Sequence, residues 1–291
     1  MFPGVLLPLL AAVVVAVAVT TIHRRMPPVV ASRMLAVSLV VAAGAAVPTL
    51  WLVSLGYLGH LPILWGGLTW CATTFGVHAR IPTWVGLPAV ALSSVGVIRM
   101  SRVLRLHRRI RHDVPGSIEI AGHAAVFAFT LPGRGGHVVL SSGLIDLLDE
   151  QEQSVVLAHE NAHARHRHDR YLLMGQLASA CTPFLRPLAS RLEFSLERWA
   201  DEEAVAANAG DRRLVAYTLG KVALHTLTPV GALSFAGLGV TARVAALLSP
   251  AHPRPHLSTL ISVWTAIASS AVLAGFQLHH LARLVTAMCP G

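Results

Sequence analysis

The sequence is short of charge. Asp, Glu, Lys and Arg make up 13% of its 291 residues, against 54% hydrophobic, whereas a soluble globular domain carries roughly 25% charged residues. That deficit excludes an ordinary soluble domain and points to a membrane protein. Lysine is nearly absent: Lys221 stands alone, so the formal charge of +9 is carried by arginine. The arginines sit beside apolar runs, which fits a membrane surface better than nucleic acid. Cysteine is equally sparse. Cys71, Cys181 and Cys289 are scattered, odd in number and form no CxxC pair, so neither a disulfide framework nor a thiolate metal site is expected.

Four long apolar runs fill the space that charge leaves. Val5 to Ile22, Met34 to Tyr57, Ile81 to Ile98 and Leu257 to Leu278 contain no charged side chain, and each has about the 17–25 residues a spanning helix needs. No basic region precedes the first run and His23-Arg24-Arg25 follows it, so it reads as a retained anchor rather than a cleaved signal. Arg24, Arg25 and Arg33 lie between the first two runs, and Arg99, Arg102, Arg105, Arg108, Arg109 and Arg111 follow the third, while the segment from 58 to 80 holds only Arg80. The positive-inside rule then places the N-terminus outside and residues 99–256 in the cytoplasm. Pro62 to Val77 is apolar but short and carries two adjacent glycines. It reads as an interfacial or re-entrant piece, because a span there would force the arginine-rich segment outside. Val222 to Ala242 lacks charge but is broken by Pro229, Gly231, Gly237 and Gly239, and reads as a loop packed on the protein or resting on the membrane.

The expected organisation is therefore a three-span region over 1–98, a cytoplasmic domain over 99–256, and a fourth span with a short tail over 257–291. Within the middle region, patches of β-branched and aromatic residues between Gly and Pro predict short strands at Ser117 to Ile120, Ala125 to Phe129 and His137 to Ser141. From Gly143 the pattern turns helical, with acids at 149, 150 and 152 suited to a helix N-terminus. Further helices are expected over Tyr171 to Ala180, Pro187 to Asn208 and Asp211 to His225. No fixed-period repeat is visible.

The chemistry is concentrated in "VVLAHENAHARHRHDR", residues 155–170. On a helix, His159 and His163 lie one turn apart on one face, so both imidazoles can reach a single metal ion. Glu160 sits beside that face, placed to act on a water rather than to bind the metal. A catalytic zinc site needs a third protein ligand and an open position. "SLERWADEEAVAA" supplies Glu197, with Asp201 one turn later. Glu197 can complete a His/His/Glu set for one Zn2+ per chain, and Asp201 can accept a hydrogen bond from the free N–H of a ligating imidazole. Taken alone, "ERWADEE" reads equally as an acidic helix surface. His166 and His168 read with Arg165, Arg167 and Arg170 as a solvated or lipid-facing basic surface.

In this order, "AFTLPGRGGHVVLSSGLIDLL", "LAHENAHARHRHD", "LERWADEEA" and "ARVAALL" resemble the membrane zinc peptidases of the BlaR/MecR antirepressor family over nearly the whole chain. The resemblance implies a mainly α membrane protein, with four transmembrane helices and a cytoplasmic α+β zincin-like HExxH domain between spans three and four. It implies a zinc endopeptidase of the cell membrane, active in signal transduction, that cuts a cytoplasmic protein such as a BlaI-like transcriptional repressor. Glu160 would take the proton of the attacking water and pass it to the leaving amine. His137 to Ser141 resembles the edge strand on which such peptidases hold an extended peptide, and His225 and Arg243 are candidate oxyanion donors. Family members that sense β-lactams carry a penicillin-binding domain after the last span. Here 13 residues follow Leu278, so no such sensor is expected in this sequence. Two other functions use the same motifs. One is a housekeeping protease of membrane proteins, and the other is a receptor that keeps the metal as a structural staple. The intact Glu160 argues against the receptor, and no helix-turn-helix signal accompanies the basic charge to suggest direct nucleic-acid binding.

Overall fold

The computed structural model describes residues 2–59, 81–110, 118–132, 136–226, 235–249 and 257–288. The expected re-entrant piece, Pro62 to Val77, lies outside them. Helix α1, Phe2–Ile22, contains the first apolar run, and α2, Pro28–Leu58, contains the second. The third run begins α3, Thr83–Ile110, which carries the arginine-rich segment as a continuation of the same helix. The last helix of the chain, α10, is Leu257–Met288. Among the described residues, three helices are long and apolar enough to cross a membrane: Pro28–Leu58, Thr83–Ile110 and Leu260–His279. Val37, Val40, Trp84, Leu87, Ile261 and Phe276 stand exposed on these helices, an apolar surface that lipid would cover.

Helix α2 is the axis of the assembly, with α1, α3 and α10 packed around it. Hydrogen bonds stitch the helices where apolar packing alone gives no register. Thr49 Oγ1 donates to Gln277 Oε1 at 3.1 Å, and the hydroxyls of Ser54 and Ser93 meet at 2.9 Å. Helices α2 and α3 also approach closely at Gly86, where a β-carbon would collide with the Tyr57 ring.

Between α3 and α10 the chain forms a small sheet and a helical layer. Strands β1 (Ile118–Ala121), β2 (Ala128–Leu131) and β3 (His137–Ser141) lie in the order β1-β3-β2. Strand β3 runs parallel to β1 and antiparallel to β2, with Thr130 opposite Val138. His137 to Ser141 is thus the middle strand of the sheet, not the expected edge. The edge beside the helices belongs to β2, three residues later than its expected start. Val138 and Val139 are buried, as befits a strand flanked on both sides. The order depends on a parallel pairing between strands distant in sequence, which alternation along one strand cannot reveal.

Helix α4 (Ser142–Leu147) is capped by the Ser141 hydroxyl, which accepts from the Leu144 N–H. Helix α5 (Glu150–His166) starts with a capping box in which Asp149 accepts from the Glu152 N–H and Glu152 accepts from the Asp149 N–H. The sole lysine also anchors this end, because Lys221 Nζ reaches the buried Glu152 at 2.7 Å. Helices α6 (His168–Cys181), α7 (Arg186–Ala207), α8 (Arg212–Thr226) and α9 (Phe235–Leu248) complete the layer. The loop expected over Val222 to Ala242 is corrected by this arrangement. Residues to 226 belong to α8 and those from 235 to α9, while 227–234 lie outside the described residues. A glycine costs a helix about 1 kcal/mol, and α9 carries Gly237 and Gly239 because Leu247 packs into a core with Val155, Ala204, Val215 and Ala216.

The larger core does not stop at the expected boundary near residue 99. Leu185, Leu188, Leu192, Leu196 and Trp199, from the α6–α7 hairpin, are buried in one cluster with Met34, Leu35 and Leu39 of α2. Helix α7 therefore rests one flank on α2 and presents another to α5 and α9.

Candidate metal centre

Helix periodicity brings the motif together as its spacing predicts. The Nε2 atoms of His159 and His163 face each other at 3.1 Å. Glu197, on α7, places Oε2 3.5 Å from His159 Nε2 and Oε1 3.5 Å from His163 Nε2. Ligand atoms about 2.0–2.1 Å from a tetrahedral zinc ion stand about 3.3 Å apart, so the two imidazole nitrogens and the Glu197 carboxylate are close to the spacing that such an ion needs. His159, His163 and Glu197 form a group able to hold a metal ion.

The surrounding residues define the free nitrogens of both imidazoles. His159 Nδ1 lies 3.2 Å from Asp201 Oδ1, so an N–H on that atom donates to the carboxylate and leaves Nε2 with its lone pair. Arg243, on α9, closes the carboxylate side. Its Nε and Nη2 donate to the two oxygens of Asp201 at 2.8 and 2.6 Å, and its Nη1 lies 2.7 Å from Glu197 Oε2. The guanidinium is thus committed to two carboxylates and holds them in register with the imidazoles. His225, by contrast, is exposed near the end of α8, with its Nδ1 at the Lys221 carbonyl, and is not among the residues lining the cleft.

The charges are strongly coupled without the metal. Burial opposes protonation of His159, but hydrogen bonds to Asp201 and Glu197 overcome it and raise its pKa to about 10. Burial also opposes ionisation of Glu197, yet His159 and Arg243 hold its carboxyl well below the usual range. Asp201 is lowered for the same reasons, with burial opposed by Arg243 and His159. Burial and the neighbouring His159 lower His163. The centre therefore keeps two carboxylates ionised in a desolvated place, both paired with the Arg243 guanidinium.

Glu160 lies beside the ligands and lines the same cleft. Its Oε2 accepts from the Thr130 hydroxyl at 2.7 Å, and the same hydroxyl is 3.0 Å from the Glu160 carbonyl. Thr130 belongs to β2, so the edge strand is tied directly to the acid at the centre. The cleft has a volume of about 500 Å³, and Phe129 and Leu131 of β2 and Val103 and Leu106 of α3 contribute apolar walls. Gly136, with φ of 67°, turns the chain against α5, where a β-carbon would overlap Ala164.

Three features were not visible in the motif. Thr130 carries no signal in a short strand. The Arg243 clamp joins two helices across a gap in the pattern. His166 and His168 do not form the expected solvated surface. His166 pairs with Glu203 at 3.1 Å and stacks on Trp199 with ring centres 4.6 Å apart. His168 is fully buried, and its Nδ1 lies 2.9 Å from His163 Nδ1. Burial first, then its neighbours His163 and His166, pull the His168 pKa down to about 3. The reason is local. Arg167 adopts a left-handed conformation, φ 53° and ψ 49°, which ends α5 and swings the next residue inward.

Residues 101–233 match the model of Peptidase family M48. That span contains Thr130, His159, Glu160, His163, Glu197 and Asp201. The Protease HtpX homolog of Halobacterium salinarum is 29% identical over 105 residues, covering 35% of this chain and 36% of that protein. The chain thus spans about a third of the length of this curated relative. No solved structure matches. Over that part of its length the chain is similar to M48 peptidases, and it also carries helices long and apolar enough to cross a membrane. These similarities do not single out the BlaR/MecR group that the order of motifs resembles.

Proposed function

We propose that this protein is a membrane-bound zinc endopeptidase acting on a cytoplasmic protein, with a BlaI-like transcriptional repressor as the substrate suggested by the order of its motifs. The observation that carries the enzymatic reading is the convergence of His159, His163 and Glu197 at zinc-ligand spacing, with Glu160 beside them in an open cleft. The ligand set suits Zn2+, and zinc held there would polarise a scissile carbonyl and make an attacking water acidic near neutral pH.

The chain's own residues account for the rest. Glu160 takes the water's proton and delivers it to the departing amine, with Thr130 fixing the orientation of its carboxylate. Asp201 keeps the His159 proton on Nδ1, and Arg243 steadies Asp201 and Glu197. Strand β2, paired among the described strands only with β3, offers an outer edge on which an extended peptide can lie beside Glu160. Arg243 acts here as a clamp rather than as a free oxyanion donor.

A second substrate reading, a housekeeping protease of membrane proteins, uses the same motifs, and the named relative is likewise a protease. One experiment separates these readings. The full chain, in vesicles, is offered a BlaI-type repressor and an unfolded membrane protein, each with wild type and with Glu160→Gln. Zinc-dependent cleavage of the repressor alone supports the first reading, and cleavage of the membrane protein alone supports the second. A Glu160→Gln variant that cuts as well as wild type removes the mechanism under both.

A further inference from the structure

We propose that His168 is a positioning residue for the metal centre, holding His163 in the tautomer and ring orientation that direct its Nε2 at the ion. The proposal rests on the zinc-site reading above and extends it to a residue outside the ligand set. His163 turns Nε2 toward His159 and Glu197, and its other nitrogen, Nδ1, meets His168 Nδ1 at 2.9 Å. Two imidazole nitrogens at that distance share one proton, so one must donate and the other accept. A ligating Nε2 needs its lone pair, which puts the His163 proton on Nδ1. His163 then donates, His168 Nδ1 accepts, and the proton of His168 sits on Nε2.

The surroundings of His168 favour that arrangement. Its Nε2 is buried and has no hydrogen-bond partner among the described residues. The ring is enclosed by Trp199, with centroids 4.9 Å apart, and by Tyr171 and His166. Aromatic faces are electron-rich, so they tolerate an N–H better than an opposing lone pair. A residue placed there only to fill space would be apolar, without an orphaned polar atom. The backbone points the same way. On an unbroken helix, position 168 would sit about 140° round from position 163. The left-handed Arg167 brings His168 back behind the ligand instead, at a conformation few non-glycine residues adopt. The two ligands are thus supported differently, His159 by a carboxylate and His163 by a neutral imidazole.

Asparagine presents a polar atom near the place of Nδ1, glutamine near that of Nε2, and leucine none. Zinc affinity of the purified full chain, measured by competition with a chelator, should fall roughly 10–100-fold in His168→Leu, the loss expected when a ligand's hydrogen-bond partner goes. His168→Asn should recover most of it and His168→Gln should not. Circular dichroism establishes which variants fold, and if the leucine variant does not, the Asn–Gln comparison decides alone. Wild-type affinity in a folded His168→Leu, or equal affinities in the Asn and Gln variants, overturns the proposal. His163→Ala is the control. Unchanged zinc binding there removes the site reading together with this proposal, whereas zinc lost there but kept in His168→Leu removes the proposal alone.

Discussion

Residues 99–256, expressed without the spanning helices, should not reach the native state, because the helix carrying Glu197 and Asp201 shares its core with α2. Leu185, Leu188, Leu192, Leu196 and Trp199 are each at most 4% exposed, in a cluster that also holds Met34, Leu35 and Leu39. Fully burying one large apolar side chain is worth about 1.5–3 kcal/mol. If excision uncovers only half of that surface on these five side chains, the loss is roughly 4–7 kcal/mol. Domains of this size are stable by about 5–15 kcal/mol in total, so the fragment would lose a large part of what keeps it folded. The uncovered stripe would also promote association.

The assay compares fragment and full chain by circular dichroism, limited proteolysis and zinc retention. The expected fragment is proteolysed within α6–α7 and holds zinc poorly, since Glu197 and Asp201 lose their register with α5. A milder version keeps the chain whole: Leu192→Ala, at a fully buried position, should cost about 2–5 kcal/mol through the cavity it leaves. A fragment that unfolds cooperatively and binds zinc with full-length affinity would refute the reasoning, and the spans would then be anchors only.

Glu160→Gln should retain zinc while proteolysis falls roughly 10²–10⁴-fold, the usual cost of losing a general base; chelator competition and a cleavage assay on the same preparation separate the two effects. Asp201→Ala should weaken zinc about 10–100-fold, and it also leaves the Arg243 guanidinium without its bidentate partner; undiminished metal content would show that Asp201 does not orient His159. Thr130→Val removes the hydroxyl at Glu160 but keeps the strand's shape, so kcat should fall with zinc content unchanged, and an unaltered kcat would make that contact incidental. Reporter fusions after Pro28, His60, Ile110 and Val285 should read inside, outside, inside and outside, and an outside signal at Ile110 would reverse the orientation proposed for residues 99–256.

What could be read from the residues alone follows from distance along the chain. His159, Glu160 and His163 lie within one helix turn, so their geometry follows once that segment is helical, and the acids at Asp149 and Glu152 mark where it begins. Glu197 and Asp201 were legible as a pair for the same reason. Their pairing with the histidines needed a second helix in the right place, which chemistry suggested but spacing could not fix. His168 was misread because helical periodicity assumes continuity, and the left-handed Arg167 breaks it. The edge strand was misassigned because its identity lies in which strands pair. The loop expected over Val222 to Ala242 failed because packing around Leu247 outweighs the cost of the glycines in α9.

The shared core was illegible for a different reason. Leu188, Leu192, Leu196 and Trp199 mark a buried helix stripe whatever covers it, since the pattern reports burial without naming the partner. Here the cover is α2, a helix long and apolar enough to cross a membrane. Helix α7 packs on α2 through that stripe, directs Glu197 and Asp201 at the imidazoles of α5, and buries Ala204 and Val205 against α8 and α9. The separation between α2 and α5 is thus bridged by one helix, and displacement of α7 relative to α5 would move Glu197 relative to His159 and His163. The imidazole nitrogens and the Glu197 oxygens nearest them lie 3.1–3.5 Å apart, and a zinc ion held by the three residues would tolerate little such movement. The packing of α7 on α2 therefore contributes to the geometry of the centre itself.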